Sequence, residues 1–208
     1  GGHTSEGAEL ALGFSVNGLA ERDALLRKEG LRPGDRLVLT KPLGTGTLFA
    51  ADMQGKARGR WIDTALEIMV QSNRDAALCL RRHGALACTD VTGFGLLGHL
   101  VEMARPSAVD VEVELGKLPL LDGAVECIEG GIFSSLQPQN VRLRRAIRNV
   151  DGVADGVANE ARYALLFDPQ TAGGLLAGIP ARNAVACVAE LRTLGYHGAA
   201  VIGRGLAQ

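Results

Sequence analysis

Three glycine-rich segments hold the residues whose types and spacing suit chemistry. They are KPLGTGTL at positions 41–48, CTDVTGFGLLGH at 88–99 and DPQTAGG at 168–174. Each follows a run that reads as a strand. A strand that ends in a glycine turn before a helix presents free backbone N–H groups and the positive end of the helix dipole, and both favour phosphate oxygens. The first segment is not a Walker A loop, because no Gly-Lys-Ser/Thr follows. Its alternative is a plain strand-to-helix turn with Thr45 or Thr47 as N-cap. In the second, Asp90 closes a short apolar strand, and ligand sites of α/β sheets gather at such carboxyl ends. A carboxylate there can hold Mg²⁺, which takes a few hard oxygen ligands alongside water and phosphate, or it can cap the following helix. For the third segment the alternative is an N-cap or a tight turn. His99 reads as a helix-face residue, and His83 and His197 as surface or turn residues. Arg142, Arg144, Arg145 and Arg148 read as a solvated face.

Composition narrows the function classes. The chain has 208 residues, 47% hydrophobic and 22% charged, the balance of a soluble globular protein. Only 4% are aromatic, so the core must be built from Leu, Val, Ile and Ala. A net charge of −1 gives no nucleic-acid footprint and no attraction to an anionic membrane. No apolar run is long enough to span a bilayer, and the opening Gly1-Gly2-His3-Thr4 lacks the apolar stretch of a signal peptide. Cys79, Cys88, Cys127 and Cys187 form no CxxC pair. They read as four reduced, mostly buried thiols of a cytoplasmic protein; a zinc site would want closer ligand pairs.

The elements that must position these residues follow from periodicity and turn signals. Strands are expected over residues 10–19, 36–40, 85–89, 109–115, 163–167, 175–179 and 199–203. Residues 60–82 read as one long helix, or two with a break near Ser72-Asn73, closed by Gly84. Further helices are expected over 96–104, stopping before Pro106, and over 120–130 and 183–194. Strands alternating with helices place the chain in the α/β class. The boundary falls in a linker at 21–33, with residues 1–20 before it and one domain, 34–208, after it.

GGHT at 1–4, LTKPLGTG at 39–46, TDVTGFGLLGHL at 89–100 and DPQTAGGLL at 168–176 resemble, in this order, the selenophosphate synthetases (selenide, water dikinases). These belong to the aminoimidazole ribonucleotide synthetase superfamily. Aminoimidazole ribonucleotide synthetases themselves carry a motif like HITGGG at this place, and the TGFGLLGH form points to the selenium enzyme. The resemblance implies that ATP, selenide and water give selenophosphate, AMP and phosphate, with Mg²⁺ neutralising the polyphosphate. It implies that Asp90 is a metal ligand and that Gly1, Gly2, His3 and Thr4 contact ATP across a dimer interface. It also implies a carboxy-terminal α/β domain with a mixed sheet and helices on one face. Residues 1–20 would be the last strand of an amino-terminal ATP-binding domain, in a homodimeric parent. The family's catalytic Cys or selenocysteine and its Lys belong to segments expected before Gly1. The chain then holds no catalytic residue and is expected to be inactive alone. Two other readings stay open: a superfamily relative acting on a different small molecule, and a non-catalytic nucleotide-sensing or oligomerisation module.

Overall fold

The computed structural model describes Ser15, residues 17–19, Glu21, residues 25–149 and residues 157–207. Five strands, β1 (Arg36–Leu39), β2 (Ala87–Asp90), β3 (Asp110–Val113), β4 (Leu175–Ile179) and β5 (Ala200–Leu206), form one sheet in the order β2-β4-β1-β5-β3. The four ladders are antiparallel, and isolated parallel bridges join Arg27 to Ala87 and Leu43 to Leu120. The helices are α1 (Thr45–Met53), α2 (Gly59–Val70), α3 (Arg74–Arg82), α4 (Gly95–Ser107), α5 (Ala124–Glu129), α6 (Gln137–Asn140), α7 (Val157–Leu165) and α8 (Ala181–Thr193). The α/β class and the packing of sheet against helices are as the sequence predicts.

Side chains alternate across a strand, so each strand feeds two layers. Leu37, Leu39, Ala87, Leu176 and Ile202 pack with Leu96, Leu100 and Met103 of α4. Val38, Cys88, Ala177 and Ile179 pack with Ala76 and Leu80 of α3 and with Ala184 and Leu191 of α8. Helices therefore cover both faces, not the single face implied by the resemblance. Burial on both sides also explains why the central strands read as unbroken apolar runs rather than alternating ones. Leu100 is 2% exposed. Leu100→Ala is expected to cost about 2–5 kcal/mol, read as a lower urea midpoint with an unchanged slope.

Two local differences have physical causes. The helix expected to stop before Pro106 runs on to Ser107. Proline in the last turn removes only one backbone donor, and the end is closed by Val109 N donating to Ala104 O and by left-handed Ala108. Residues 163–167 are not a strand. Tyr163 to Leu165 end α7, where Ala161 and Leu165, one turn apart, bury against Ala124 and Ile128 of α5. Between α2 and α3 the break falls where expected. There the Ser72 carbonyl accepts a 2.6 Å hydrogen bond from Tyr196 Oη, which in turn accepts from Ala76 N at 3.1 Å.

Most of the strand expected over 10–19 lies outside the described residues; Ser15 and residues 17–19 take no regular structure. The end of the expected linker packs on the domain. Cys88 N donates to Arg27 O at 2.7 Å, Gly30 N and Leu31 N donate to Ser107 Oγ, and Leu31 is 3% exposed.

Candidate functional site

The carboxyl ends of β1 and β2 and the start of β4 lie at one end of the sheet, because Leu39 pairs with Leu176 and Asp90 with Leu175. That register brings all three glycine-rich segments together. Residues 168–174 thread between the other two. Gln170 N donates to Thr92 O at 3.0 Å, Thr171 N to Thr45 Oγ1 at 3.0 Å, and Val91 N to Gly174 O at 2.9 Å.

A buried latch fixes this junction. The Gln170 carboxamide oxygen accepts from Gly44 N, Thr45 N and Thr45 Oγ1 at 3.0, 3.3 and 3.1 Å. Its Nε2 donates to Asp168 O and Oδ2 at 2.8 and 2.9 Å, and Thr47 Oγ1 donates to Asp168 Oδ1 at 2.8 Å. The cap position of α1 is Gly44, so neither Thr45 nor Thr47 is an N-cap. The first amides of α1, offered by the sequence to a phosphate, are instead taken by Gln170. Asp168 opens no helix of its own: it is 0% exposed, and burial pushes its carboxyl up to about 6, opposed by hydrogen bonds from the Thr47 and Gln170 side chains and from the backbone of Thr47 and Gly46 in the first turn of α1.

Lys41 is drawn into the same junction. It is 2% exposed, and its Nζ donates to Gln71 O at 2.6 Å and Ala172 O at 3.2 Å. Burial lowers its pKa, because desolvation disfavours the ammonium. Ala172 holds a left-handed φ of 49°, a costly conformation for a residue with a Cβ. The two glycines after it are required by contact. A Cβ on Gly173 would stand 2.1 Å from Val91 O, and one on Gly174 would stand 2.5 Å from Lys41 N.

Asp90 differs from these groups. It ends β2 and is exposed. The helix that follows has Phe94, not Asp90, at its cap position, so the helix-cap alternative is not realised. The turn between them is tied down. Thr92 O accepts from Gly95 N and Gln170 N, and Gly93 O accepts from Asn140 Nδ2 at 2.8 Å. Thr92 Oγ1 lies 3.2 Å from His99 Nε2, whose Nδ1 lies 3.2 Å from Glu102 Oε2. That oxygen is 2.6 Å from Lys28 Nζ. His99 is 4% exposed, and burial lowers its pKa against the pull of Glu102 and Asp90. It braces the turn from behind. The geometry leaves one hard oxygen donor facing solvent on a rigid turn, with Phe94, 56% exposed, beside it.

Gly1, Gly2, His3 and Thr4 lie outside the described residues. Arg142, Arg144, Arg145 and Arg148 are exposed, and Arg148 pairs with Asp110 at 2.8 Å. The four cysteines are free and buried, with Cys88 and Cys187 pushed up to about 12 by burial. Among the described residues no helix is long and apolar enough to cross a membrane.

Comparison with known proteins places the chain among relatives. Residues 32–208 match the family described as AIR synthase related protein, C-terminal domain. The chain is 36% identical over 203 residues to the selenide, water dikinase of Clostridioides difficile, and 41% identical over 204 residues to that of Pelobacter propionicus. Each match covers 98% of this chain but 57% of the relative. Among solved structures it resembles thiamine-monophosphate kinase from Stenotrophomonas maltophilia, with TM-score 0.61, 20% identity and 91% and 52% coverage of the two chains. It also resembles the hydrogenase maturation protein HypE in complex with ATP, with TM-score 0.59, 18% identity and 89% and 46% coverage. At these identities the likeness is one of fold.

Proposed function

We propose that this chain, which belongs to the AIR synthase related family through its C-terminal domain, is the carboxy-terminal part of a selenide, water dikinase. The whole enzyme would convert ATP, selenide and water to selenophosphate, AMP and phosphate. The observation that carries this reading is Asp90: an exposed carboxylate on a turn whose backbone is locked from three sides. A carboxylate held at the carboxyl end of a strand beside a constrained turn is placed to meet a cation carried by a phosphate ligand.

The donor chemistry fits magnesium. Asp90 offers a hard oxygen, and Mg²⁺ commonly takes one or two carboxylates with water and phosphate oxygens completing its octahedron. When bound, the ion would neutralise polyphosphate charge. The remaining protein contacts would come from an amino-terminal domain. Gly1, Gly2, His3 and Thr4 would approach ATP across the interface of a homodimer. Residues 1–20 would form that domain's last strand, 21–33 the linker, and 34–208 the carboxy-terminal domain. Four free buried thiols suit a reducing cytoplasm. The reactive Cys or selenocysteine and the Lys would also be supplied from before Gly1.

The 208-residue chain alone is therefore expected to turn over no ATP and to bind Mg-ATP weakly or not at all. Isothermal titration of Mg-ATP into this chain checks it. A shallow, unsaturated heat is the predicted result, and a micromolar dissociation constant would overturn the division of labour.

A further inference from the structure

On the layer opposite α4, α3 and α8 bring together three metal-ligating side chains of different kinds. Cys79 lies in α3, and His83, four positions on, takes its C-cap, so the two share a helix face. Glu190 meets them from α8. Their ligand atoms all lie within 4.8 Å of one another, and His83 Nε2 is 2.7 Å from Glu190 Oε2. Tetrahedral zinc, with bonds of about 2.0–2.3 Å, holds such atoms roughly 3.3–3.8 Å apart. Reaching that spacing, with the His83–Glu190 contact opening and the longer separations closing, takes movement on the scale of side-chain rotation.

We propose that Cys79, His83 and Glu190 form a binding site for a zinc-class divalent ion, separate from the Asp90 turn. The sulfur sets the class: thiolate with imidazole suits zinc, while magnesium is held by oxygen donors. In the free site the Cys79 thiol donates to Cys187 O at 3.8 Å. On binding, the S–H bond breaks, its proton leaves to solvent and a sulfur–metal bond forms; the hydrogen bond from His83 Nε2–H to Glu190 Oε2 also breaks, the imidazole proton moving by way of solvent to Nδ1, and no electron is transferred. His83 supplies the Nε2 lone pair and Glu190 supplies Oε2. The supporting contacts already exist. Arg82 holds Glu190 Oε1, so only Oε2, which the free site hydrogen-bonds to His83, has to turn to the ion, and Asn183 Nδ2 donates to His83 O at 2.9 Å, steadying the end of α3. Cys79 is buried, while the side chains of His83 and Glu190 are 17% and 36% exposed, so an ion can enter from the surface. Three protein ligands leave a fourth position to water. The bound ion would clamp α3 to α8.

The test is a titration of the metal-free 208-residue chain with Co²⁺, followed by displacement with Zn²⁺. One equivalent should bind, with a thiolate-to-cobalt charge-transfer band in the near ultraviolet, and Zn²⁺ should displace it and raise the melting temperature. Cys79→Ser should abolish the band. His83→Gln, at a partly exposed helix end that leaves the core intact, should weaken Zn²⁺ binding by at least about tenfold. Failure to bind one equivalent, or affinity and band unchanged in folded His83→Gln, would overturn the site.

Discussion

Replacing Asp90 by Asn in a full-length protein containing this chain is expected to cut ATP-dependent turnover by on the order of a hundredfold or more, with little change in melting temperature. The rate loss rests on the proposed metal role of Asp90; the unchanged melting temperature follows from the structure. Asp90 is exposed, ends β2 and does not cap α4, so its removal disturbs no observed packing. An amide keeps the size of the side chain but loses the charge that a hard cation requires. The defect should therefore shrink as Mg²⁺ is raised, since a weakened metal site is refilled by mass action. Steady-state rates across a Mg²⁺ series, alongside thermal unfolding, separate the roles. A stability loss without a rate loss would make Asp90 a structural residue.

The Asp168 latch should announce itself in the pH dependence of stability. An unfolded Asp titrates near ~3.9, and folding pushes Asp168 up to about 6. A raised carboxyl pKa means that the folded state holds its proton more tightly. The resulting stability is fully present below the unfolded pKa and is lost as pH rises through the folded one. Two pKa units correspond to roughly 3 kcal/mol. Asp168→Asn carries a fixed penalty, because an amide cannot accept from both Thr47 and Gln170 as the carboxylate does, but that penalty does not titrate. Urea unfolding of both proteins at a series of pH values should show the wild-type minus variant difference falling by roughly 3 kcal/mol between pH 4 and pH 7. A flat difference would mean that Asp168 titrates alike in both states.

Much of the framework was legible because it rests on local signals. Gly-rich turns after short apolar runs marked the ends of β1 and β2, and Ser72-Asn73 marked the break between α2 and α3. The misreadings have separate causes, one tertiary and one local. The apolar run at 163–167 suits a strand or a buried helix end equally, and only α5, far off in sequence, selects the helix. Pro106 is tolerated because the helix has one residue left to run. At the candidate site, the place of Asp90 at the end of an apolar strand was visible. Gln170 was not: nothing in DPQTAGG announces that its carboxamide reaches the amides of Gly44 and Thr45, some 125 residues away in sequence. Lys41 likewise looked like an ordinary strand-end lysine until Gln71 and Ala172 supplied the carbonyls that bury it. The Cys79 and His83 spacing lay in plain view. Its third member, Glu190, comes from another helix, so no sequence pair disclosed it.

The central claim is met most directly by phosphorus NMR on a full-length protein containing this chain, incubated with ATP, Mg²⁺ and selenide. A selenophosphate resonance is expected to appear with AMP and phosphate, and to be missing when selenide is left out. Folded protein that consumes ATP without forming selenophosphate, or that transfers phosphate to another acceptor, would contradict it.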